Sequence, residues 1–264
     1  IALQFLTILP VRGNPAVDED DIARSSSLFV IVGILQGILL IMTDYGAGRL
    51  FHPDLAAGMI LLVLVLSNGG FHLDGLADTF DALAVKSESD RHADMQKRLA
   101  IMKTGATGPV GVMAIIFSLA LKYLALKSLS NFLPFTYLSS LFLMPVLSKW
   151  AVVVSIFHGR PARKDGLGKI FIGRTGLKEL GVSTTILISV LVLLQIFSRL
   201  YAPDNQSVFH ALMLMIIYFL CRLAVRFFHR RFGGLTGDTL GAISEMTEII
   251  FLLTVIAWSR LSIL

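Results

Sequence analysis

Long uncharged runs of apolar residues alternate with short polar segments along this chain. Several of these runs approach the ~20 residues that an α-helix needs to cross a bilayer. The runs predict seven membrane spans, at about 25–43, 55–71, 108–128, 132–157, 179–198, 208–228 and 239–259. The fourth run contains Pro145, which predicts a kink. The opening segment IALQFLTILPV is too short to span, and we expect it to lie in the membrane interface.

The composition agrees with this pattern. Of the 264 residues, 55% are hydrophobic and only 16% are charged, whereas about a quarter of a soluble domain is charged. We therefore predict an all-α, polytopic integral membrane helical bundle that forms a single domain over residues 1–264, rather than a soluble bundle. The one cysteine, Cys221, excludes a disulfide within the chain and a cysteine-based zinc site.

The basic residues predict the orientation in the membrane. If the N-terminus is cytoplasmic, most of the 23 lysines and arginines fall on inner segments, while Lys122 is assigned to the outer side and Lys149 lies within a span. The inner segments after the N-terminal region are 72–107, 158–178 and 222–237. The positive charge thus predicts a cytoplasmic N-terminus, an outer C-terminus and an inner face for an anionic ligand. No motif of a nucleic-acid-binding module is present, and we expect no nucleic-acid partner.

The segment GGFHLDGLADTFDAL, residues 69–83, places three acids directly after an apolar run. If it is helical, Asp74, Asp78 and Asp81 occupy positions i, i+4 and i+7 on one face. Like charges in that arrangement repel one another unless a cation bridges them. Carboxylates without a cysteine or histidine cluster suit Mg²⁺ or Mn²⁺. The acids therefore predict a metal site, against the alternative of a solvated helix end.

Glycines and a histidine surround these acids. Gly69, Gly70 and Gly75 allow a sharp turn and the close approach of a ligand to the backbone. For His72, a substrate contact and a purely local role at the helix start both stay open.

A second acidic motif is GGLTGDTLGAISEMTE, residues 233–248. Asp238 is placed where an acid favours a helix N-terminus, and Glu245 follows seven residues later on the same face. Gly241 and Ala242 between them would let a helix or a substrate come close. Glu245 is costly in an apolar helix unless it is functional. Glu248 points away from this face and is the poorer candidate.

Two basic, glycine-rich segments accompany the acids. The segment 158–176 is either an ordinary positive-inside loop or a phosphate clamp. The segment 98–111 precedes a helix start, where backbone N–H groups can hold an anion. The substrate-binding candidates in these segments are Arg98, Lys103, Arg160, Arg163, Lys169 and Arg174.

Carboxylates for a divalent metal and cations for phosphates, on a bilayer, are typical of metal-assisted phosphoryl transfer. No P-loop is present, which disfavours ATP hydrolysis, and no nucleophile elbow is present.

Three motifs, HLDGLADTFDAL, IMKTGATGPVG and GGLTGDTLGAISE, together resemble the cobalamin synthase family, adenosylcobinamide-GDP ribazoletransferase, over essentially the whole chain. The resemblance implies an enzyme of the prokaryotic inner membrane with its active site facing the cytoplasm. It would join adenosylcobinamide-GDP to α-ribazole or its 5′-phosphate, giving adenosylcobalamin or its 5′-phosphate and GMP, with Mg²⁺ as cofactor and Mn²⁺ as the alternative. The implied metal ligands are Asp74, Asp78, Asp81, Asp238 and Glu245, and all of these except Asp74 are also catalytic candidates.

The chain departs from the family pattern at two places. Thr104 and Gly105 stand where members commonly have an acidic pair, and Ala106 stands where an arginine is common. Lys149 replaces a frequent arginine, which keeps the charge but not the bidentate geometry.

Two other functions stay open at this point. A CDP-alcohol phosphatidyltransferase would use similar carboxylate chemistry, but Asp78 follows Ala77 where its signature needs an arginine. A cation- or proton-coupled transporter would use the acids as an ion path, but the paired broken helices of such folds are not apparent. The general base, one metal or two, and a homo-oligomer are also left open.

Overall fold

The computed structural model describes residues 1–8, 18–86, 90–163, 166, 168–201 and 206–261. Every regular element in this part is helical, and one isolated parallel bridge joins Pro161 to Leu235. The prediction of an all-α fold is therefore confirmed. The α-helices are α1 Ala2–Leu6, α2 Glu19–Arg24, α3 Phe29–Leu50, α4 Pro53–Ser67, α5 Phe71–Leu83, α6 Arg91–Ile101, α7 Pro109–Leu129, α8 Pro134–His158, α9 Gly168–Phe171, α10 Leu177–Tyr201, α11 Gln206–Phe232 and α12 Gly237–Leu261.

Six helices of the described part are long and apolar enough to cross a membrane. The first is continuous from Glu19 to Leu50 because a 3₁₀ turn links α2 to α3, and the others are α7, α8, α10, α11 and α12. The predicted span 55–71 differs from the structure: α4 ends at Ser67, and α5 continues at an angle of 85°. This bent pair would be a seventh span.

The bend between α4 and α5 has a local cause. Gly69 and Gly70 both have positive φ, +64° and +75°, a conformation that glycine adopts without steric cost. Asn68 closes the turn, because its Oδ1 accepts a hydrogen bond from the Gly70 N–H at 3.0 Å. The sharp turn predicted at the glycines is therefore confirmed, and it directs α5 across the bundle.

Helix α8 lies at the centre of the bundle and is buried along most of its length. Helix α3 packs directly on its backbone, since a Cβ at Gly33 would come within 2.7 Å of the Pro145 carbonyl oxygen. Pro145 lies inside α8 without ending it, and the predicted kink stays a prediction.

Helix α5 packs across the N-terminal part of α12. A Cβ at Gly75 would lie 2.7 Å from the Asp238 carbonyl oxygen, and one at Gly241 would lie 3.1 Å from the His72 carbonyl oxygen. The expectation that small residues on α12 let another helix come close is thus confirmed. This crossing brings the two acidic motifs together.

Helix α1 packs against the bundle through Ala2 and Leu6, which are both buried. The ring of Phe5 lies 4.5 Å from that of Phe171 and 5.9 Å from that of Phe29, measured between centroids. The described part of the opening segment forms one wall of a cavity, and its place in the membrane interface stays a prediction. Its residues 9–11 lie outside the described part.

Candidate active site

A cavity of about 360 Å³ lies where α1, α5 and the start of α12 meet the basic loop 158–176. Its wall combines both charge types: Asp74 from α5, Asp238 from α12, and Arg163 and Lys169 from the loop. His72 lines the same space. The volume falls within the range of about 300–1,000 Å³ typical of small-molecule sites.

Backbone pairing holds the basic loop against the start of α12. The Ala162 N–H donates to the Leu235 carbonyl at 2.9 Å, and the Leu235 N–H donates to the Arg160 carbonyl at 2.8 Å. As a result, an Arg163 guanidinium nitrogen lies 4.0 Å from Asp238 Oδ2. The acidic motif 233–248 and the basic segment 158–176 therefore form one wall.

Arg163 is only partly satisfied within the protein. One terminal nitrogen donates to the Leu99 carbonyl at 2.8 Å, while Nε is buried without a hydrogen-bond partner among the described residues. Residues 164, 165 and 167 of the same loop, including Lys164, lie outside the described part. Arg163 therefore lines the cavity with a buried donor that has no partner in the described part of the chain.

The three aspartates of α5 lie on a helix, as predicted, but they have different surroundings. Asp74 lines the cavity, and Asp78 lies behind it with 8% of its surface exposed. The charged groups that act on Asp78 are Asp74, Asp238, Asp81 and Arg163. Within the described part of the chain, neither Asp74 nor Asp78 has a side-chain hydrogen bond or ion pair.

Asp81 is bound to the protein itself. One of its oxygens accepts the Gly108 N–H at 2.6 Å and the other accepts the Gly111 N–H at 2.8 Å. These are N–H groups at the first turn of α7, which otherwise lack partners. The anion predicted at this helix start is therefore the carboxylate of Asp81. Both of its oxygens are hydrogen-bonded to the backbone of α7.

Arg98 and Lys103, predicted from the segment before α7, do not line the cavity. Arg98 is buried and donates to the Arg231 carbonyl at 3.4 Å, which ties α6 to the end of α11. Lys103 is exposed in the turn after α6. The structure therefore does not bring this pair to the other candidates.

Arg160 and Arg174 are also engaged elsewhere. Arg160 Nε donates to the Gly233 carbonyl at 3.0 Å. Arg174 forms ion pairs with Glu19 at 2.7 Å and with Asp20 at 3.4 Å, which link the end of the basic loop to α2. Of the four basic candidates in this loop, Arg163 and Lys169 are the two that line the cavity.

Glu245 lies deeper in the bundle than Asp238 and does not line the cavity. Lys122 Nζ lies 2.7 Å from Glu245 and 2.8 Å from Glu248, and Ser118 donates to Glu245 at 2.8 Å. Ser148 donates to Glu248 at 3.1 Å. These five residues form a buried polar cluster between α7, α8 and α12, which we call the bundle cluster.

The basic pattern places Lys122 on the outer side, but none of its surface is exposed, because it binds two acids inside the bundle. Glu248, the poorer functional candidate, is the second acid that Lys122 binds, and its ranking as a functional residue stays a prediction. The available signal was the pair of acids at i and i+3 in an apolar helix, which requires a buried cation.

No three histidine, cysteine, aspartate or glutamate residues of the described part lie close enough together to hold a metal ion. The cavity itself contributes Asp74 and Asp238, with Asp78 behind them. The five predicted ligands are thus divided among three places: the cavity, the α7 helix start and the bundle cluster.

These features define a polytopic helical membrane protein with a cavity that combines carboxylates with cations. The family model described as cobalamin-5-phosphate synthase matches residues 1–256. The chain belongs to the cobalamin-5-phosphate synthase family and is a transferase.

Curated relatives named adenosylcobinamide-GDP ribazoletransferase are similar to this chain over nearly their whole length. The protein of Thermodesulfovibrio yellowstonii is 33% identical, with 99% of this chain and 96% of the relative covered. The protein of Geotalea daltonii is 33% identical, with 97% and 96% covered. The protein of Roseiflexus sp. is 32% identical, with 96% and 87% covered. No solved structure matches the chain.

Proposed function

We propose that this protein transfers the phosphocobinamide part of adenosylcobinamide-GDP to α-ribazole, or to its 5′-phosphate, with release of GMP. This reaction assembles the nucleotide loop in cobalamin biosynthesis. The family match and the relatives' names support it, whereas neither a phosphatidyltransferase nor a transporter is supported by them. The structural observation that carries the proposal is the cavity in which Asp74 and Asp238 accompany Arg163 and Lys169.

The carboxylates of this cavity fit Mg²⁺, with Mn²⁺ as the alternative. Mg²⁺ is usually held by one or two carboxylates together with substrate phosphates and water, not by a cage made of protein alone. Asp74 and Asp238 would supply those carboxylates, and Asp78, with no partner of its own among the described residues, lies next to them. When bound, the ion would neutralise negative charge on the diphosphate.

Arg163 and Lys169 would bind the phosphate oxygens, because both line the cavity and Arg163 Nε has no partner among the described residues. A ribose hydroxyl oxygen of the acceptor forms a bond to the phosphorus that carries cobinamide. The bond from that phosphorus to the bridging oxygen breaks, and GMP leaves with this oxygen. Asp78 would accept the hydroxyl proton, since no hydrogen bond occupies its carboxylate within the described part.

Size limits which part of the donor enters the cavity. A space of about 360 Å³ is at the lower end of the range for drug-sized ligands, and adenosylcobinamide-GDP is much larger than that. We therefore place its diphosphate in the cavity and its corrinoid ring outside.

We further propose that this cavity faces the cytoplasm at a prokaryotic inner membrane. The basic residues Arg163 and Lys169 line it, on a segment that the positive-inside rule assigns to the cytoplasmic side. Both water-soluble substrates would then reach the site without crossing the bilayer.

The test uses purified protein in liposomes supplied with adenosylcobinamide-GDP, α-ribazole and Mg²⁺, and it follows GMP release and adenosylcobalamin formation. We expect EDTA to abolish turnover and added Mg²⁺ to restore it. An Asp54→Asn variant, which changes an exposed acid paired with Lys127 far from the cavity, should keep its activity. Folded protein that makes no product would contradict the reaction, and turnover that resists EDTA would contradict the metal.

A further inference from the structure

His72 has one ring nitrogen turned toward the protein interior. Its Nδ1 lies 3.3 Å from Asn68 Nδ2 and 3.4 Å from Lys149 Nζ. Ser244 Oγ lies at 3.5 Å from the same nitrogen, but its own hydroxyl donates to Ser148. The two closest neighbours of Nδ1 are therefore nitrogen atoms.

Both of these neighbours can only donate. A lysine ammonium has three N–H donors and no acceptor, and an amide nitrogen is likewise a donor. The amide of Asn68 is oriented, because its oxygen already accepts the Gly70 N–H, which leaves the NH₂ group for His72. Ser244 Oγ is the one acceptor near Nδ1 among the described residues and makes the longest of the three contacts, so the two shorter contacts assign Nδ1 as an acceptor and Nε2 as the protonated nitrogen.

The other side of the ring is available to a ligand. His72 lines the cavity, although only 7% of its surface is exposed. Within the described part of the chain, no hydrogen bond to Nε2 is formed. The ring thus presents an N–H donor to the space that Asp74 and Arg163 also line.

Lys149 is unusual among the buried charges of this protein. It is fully buried, yet no carboxylate of the described residues lies within 4.0 Å of its Nζ. Glu245 and Glu248, in the bundle cluster, are both bound to Lys122 instead. A buried ammonium is costly unless it is paired, and the one hydrogen bond that Lys149 makes to another described side chain is to His72.

We propose that Lys149, together with Asn68, is a positioning residue that fixes His72 as an Nε2–H donor to a phosphate oxygen of the bound substrate. The identity of that phosphate as part of a nucleoside diphosphate rests on the proposed function. The position of the ring proton does not rest on it, which allows the two ideas to fail separately.

The position of the proton is measurable by NMR. The protein is labelled with ¹⁵N-histidine and reconstituted in nanodiscs, and the His72 signals are assigned by their loss in a His72→Gln variant. We expect an Nε2-protonated ring in the wild type and in Lys149→Arg, which retains a buried donor. Lys149→Met combined with Asn68→Asp removes both donors and keeps an acceptor for the Gly70 N–H, and it should end the exclusive protonation of Nε2. Lys127→Met, an exposed lysine on α7, should change nothing.

GDP with Mg²⁺ then tests the phosphate contact. We expect GDP to shift the Nε2 resonance, and His72→Phe to bind GDP about tenfold more weakly than His72→Gln, which keeps a donor at a similar distance. A wild-type ring protonated on Nδ1, or an unchanged tautomer in the variant that lacks both donors, would overturn the positioning role. An Nε2 resonance that GDP leaves unmoved would overturn the phosphate contact, whatever the transferase assay gives.

Discussion

Asp238 and Glu245 occupy the same face of α12, seven residues apart, and they have opposite surroundings. The Asp238 side chain is 27% exposed at the cavity, and its nearest cation, Arg163, is 4.0 Å away. The Glu245 side chain is 2% exposed and lies 2.7 Å from Lys122. Two turns of helix, about 10 Å along its axis, therefore separate an acid available to a ligand from an acid neutralised by the protein.

This comparison teaches how a membrane bundle can use the same residue type in two ways. In the bundle cluster, Glu245 and Glu248 are matched by Lys122, and each accepts a serine hydroxyl. At the cavity, Asp74 and Asp78 have no such match in the described part of the chain. We expect the first group to determine stability and the second to determine activity.

The largest effect should come from removing the cation of the bundle cluster. Lys122→Met leaves Glu245 and Glu248 buried without their common partner. Breaking a buried ion pair from one side typically costs about 3–5 kcal/mol, because the remaining charge is uncompensated. The measurement is the free energy of unfolding in mixed micelles.

Lys127→Met is the matched control for this change, since Lys127 lies on the same helix in an exposed pair with Asp54. Exposed ion pairs contribute little, and we expect no measurable loss of stability. Equal losses in the two variants would show that the bundle cluster has no special role in stability.

The next effect concerns the cavity and should appear in activity. Asp238→Asn removes one carboxylate of the proposed metal site while keeping the side-chain volume. We expect kcat/KM to fall about 100-fold or more, with little change in the free energy of unfolding, because Asp74 and Asp78 lose a like-charged neighbour. An Asp238→Asn variant that loses stability but keeps normal turnover would contradict the assignment of Asp238 to activity rather than to stability.

Much of the fold follows from the sequence, for a physical reason. A bilayer satisfies no backbone group, so a long apolar run that spans it is helical, and the runs identify the six long apolar helices of the described part. The predicted span 55–71 continues past the end of α4, because hydropathy does not reveal a turn at two consecutive glycines with positive φ. Those glycines turn the chain by 85° between Ser67 and Phe71.

The site was only partly predictable. Helical periodicity correctly placed Asp74 and Asp78 on one face and Asp238 near a helix start. Periodicity says nothing about which neighbouring helix a face meets, so it could not distinguish Glu245, which meets Lys122, from Asp238. The partners of the Asp81 carboxylate could not be predicted either, because they are backbone N–H groups 27 and 30 residues away.

A third prediction tests the helix crossing that separates the two regions. Gly75→Ala would place a Cβ 2.7 Å from the Asp238 carbonyl, a backbone atom that cannot rotate away. We expect a loss of stability of about 1–3 kcal/mol from overpacking, together with a loss of activity because Asp238 is displaced.

The matched control is Gly58→Ala on α4, where a Cβ would meet nothing within 4 Å. This variant should be neutral or slightly stabilising, since alanine restricts the unfolded chain. Should Gly75→Ala behave like Gly58→Ala in both assays, the close contact of α5 with α12 would not be needed.

The smallest effect should come from Asp81, which belongs to neither region because backbone N–H groups satisfy it. Asp81→Asn keeps one acceptor for the start of α7 and loses the other, and we expect a cost of about 1 kcal/mol in unfolding. Asp90→Asn, at the exposed start of α6, should cost less, since asparagine caps that helix equally well. If Asp81 holds metal instead, Asp81→Asn will lose as much activity as Asp238→Asn. Retained turnover in Asp81→Asn therefore confines the metal to the cavity carboxylates.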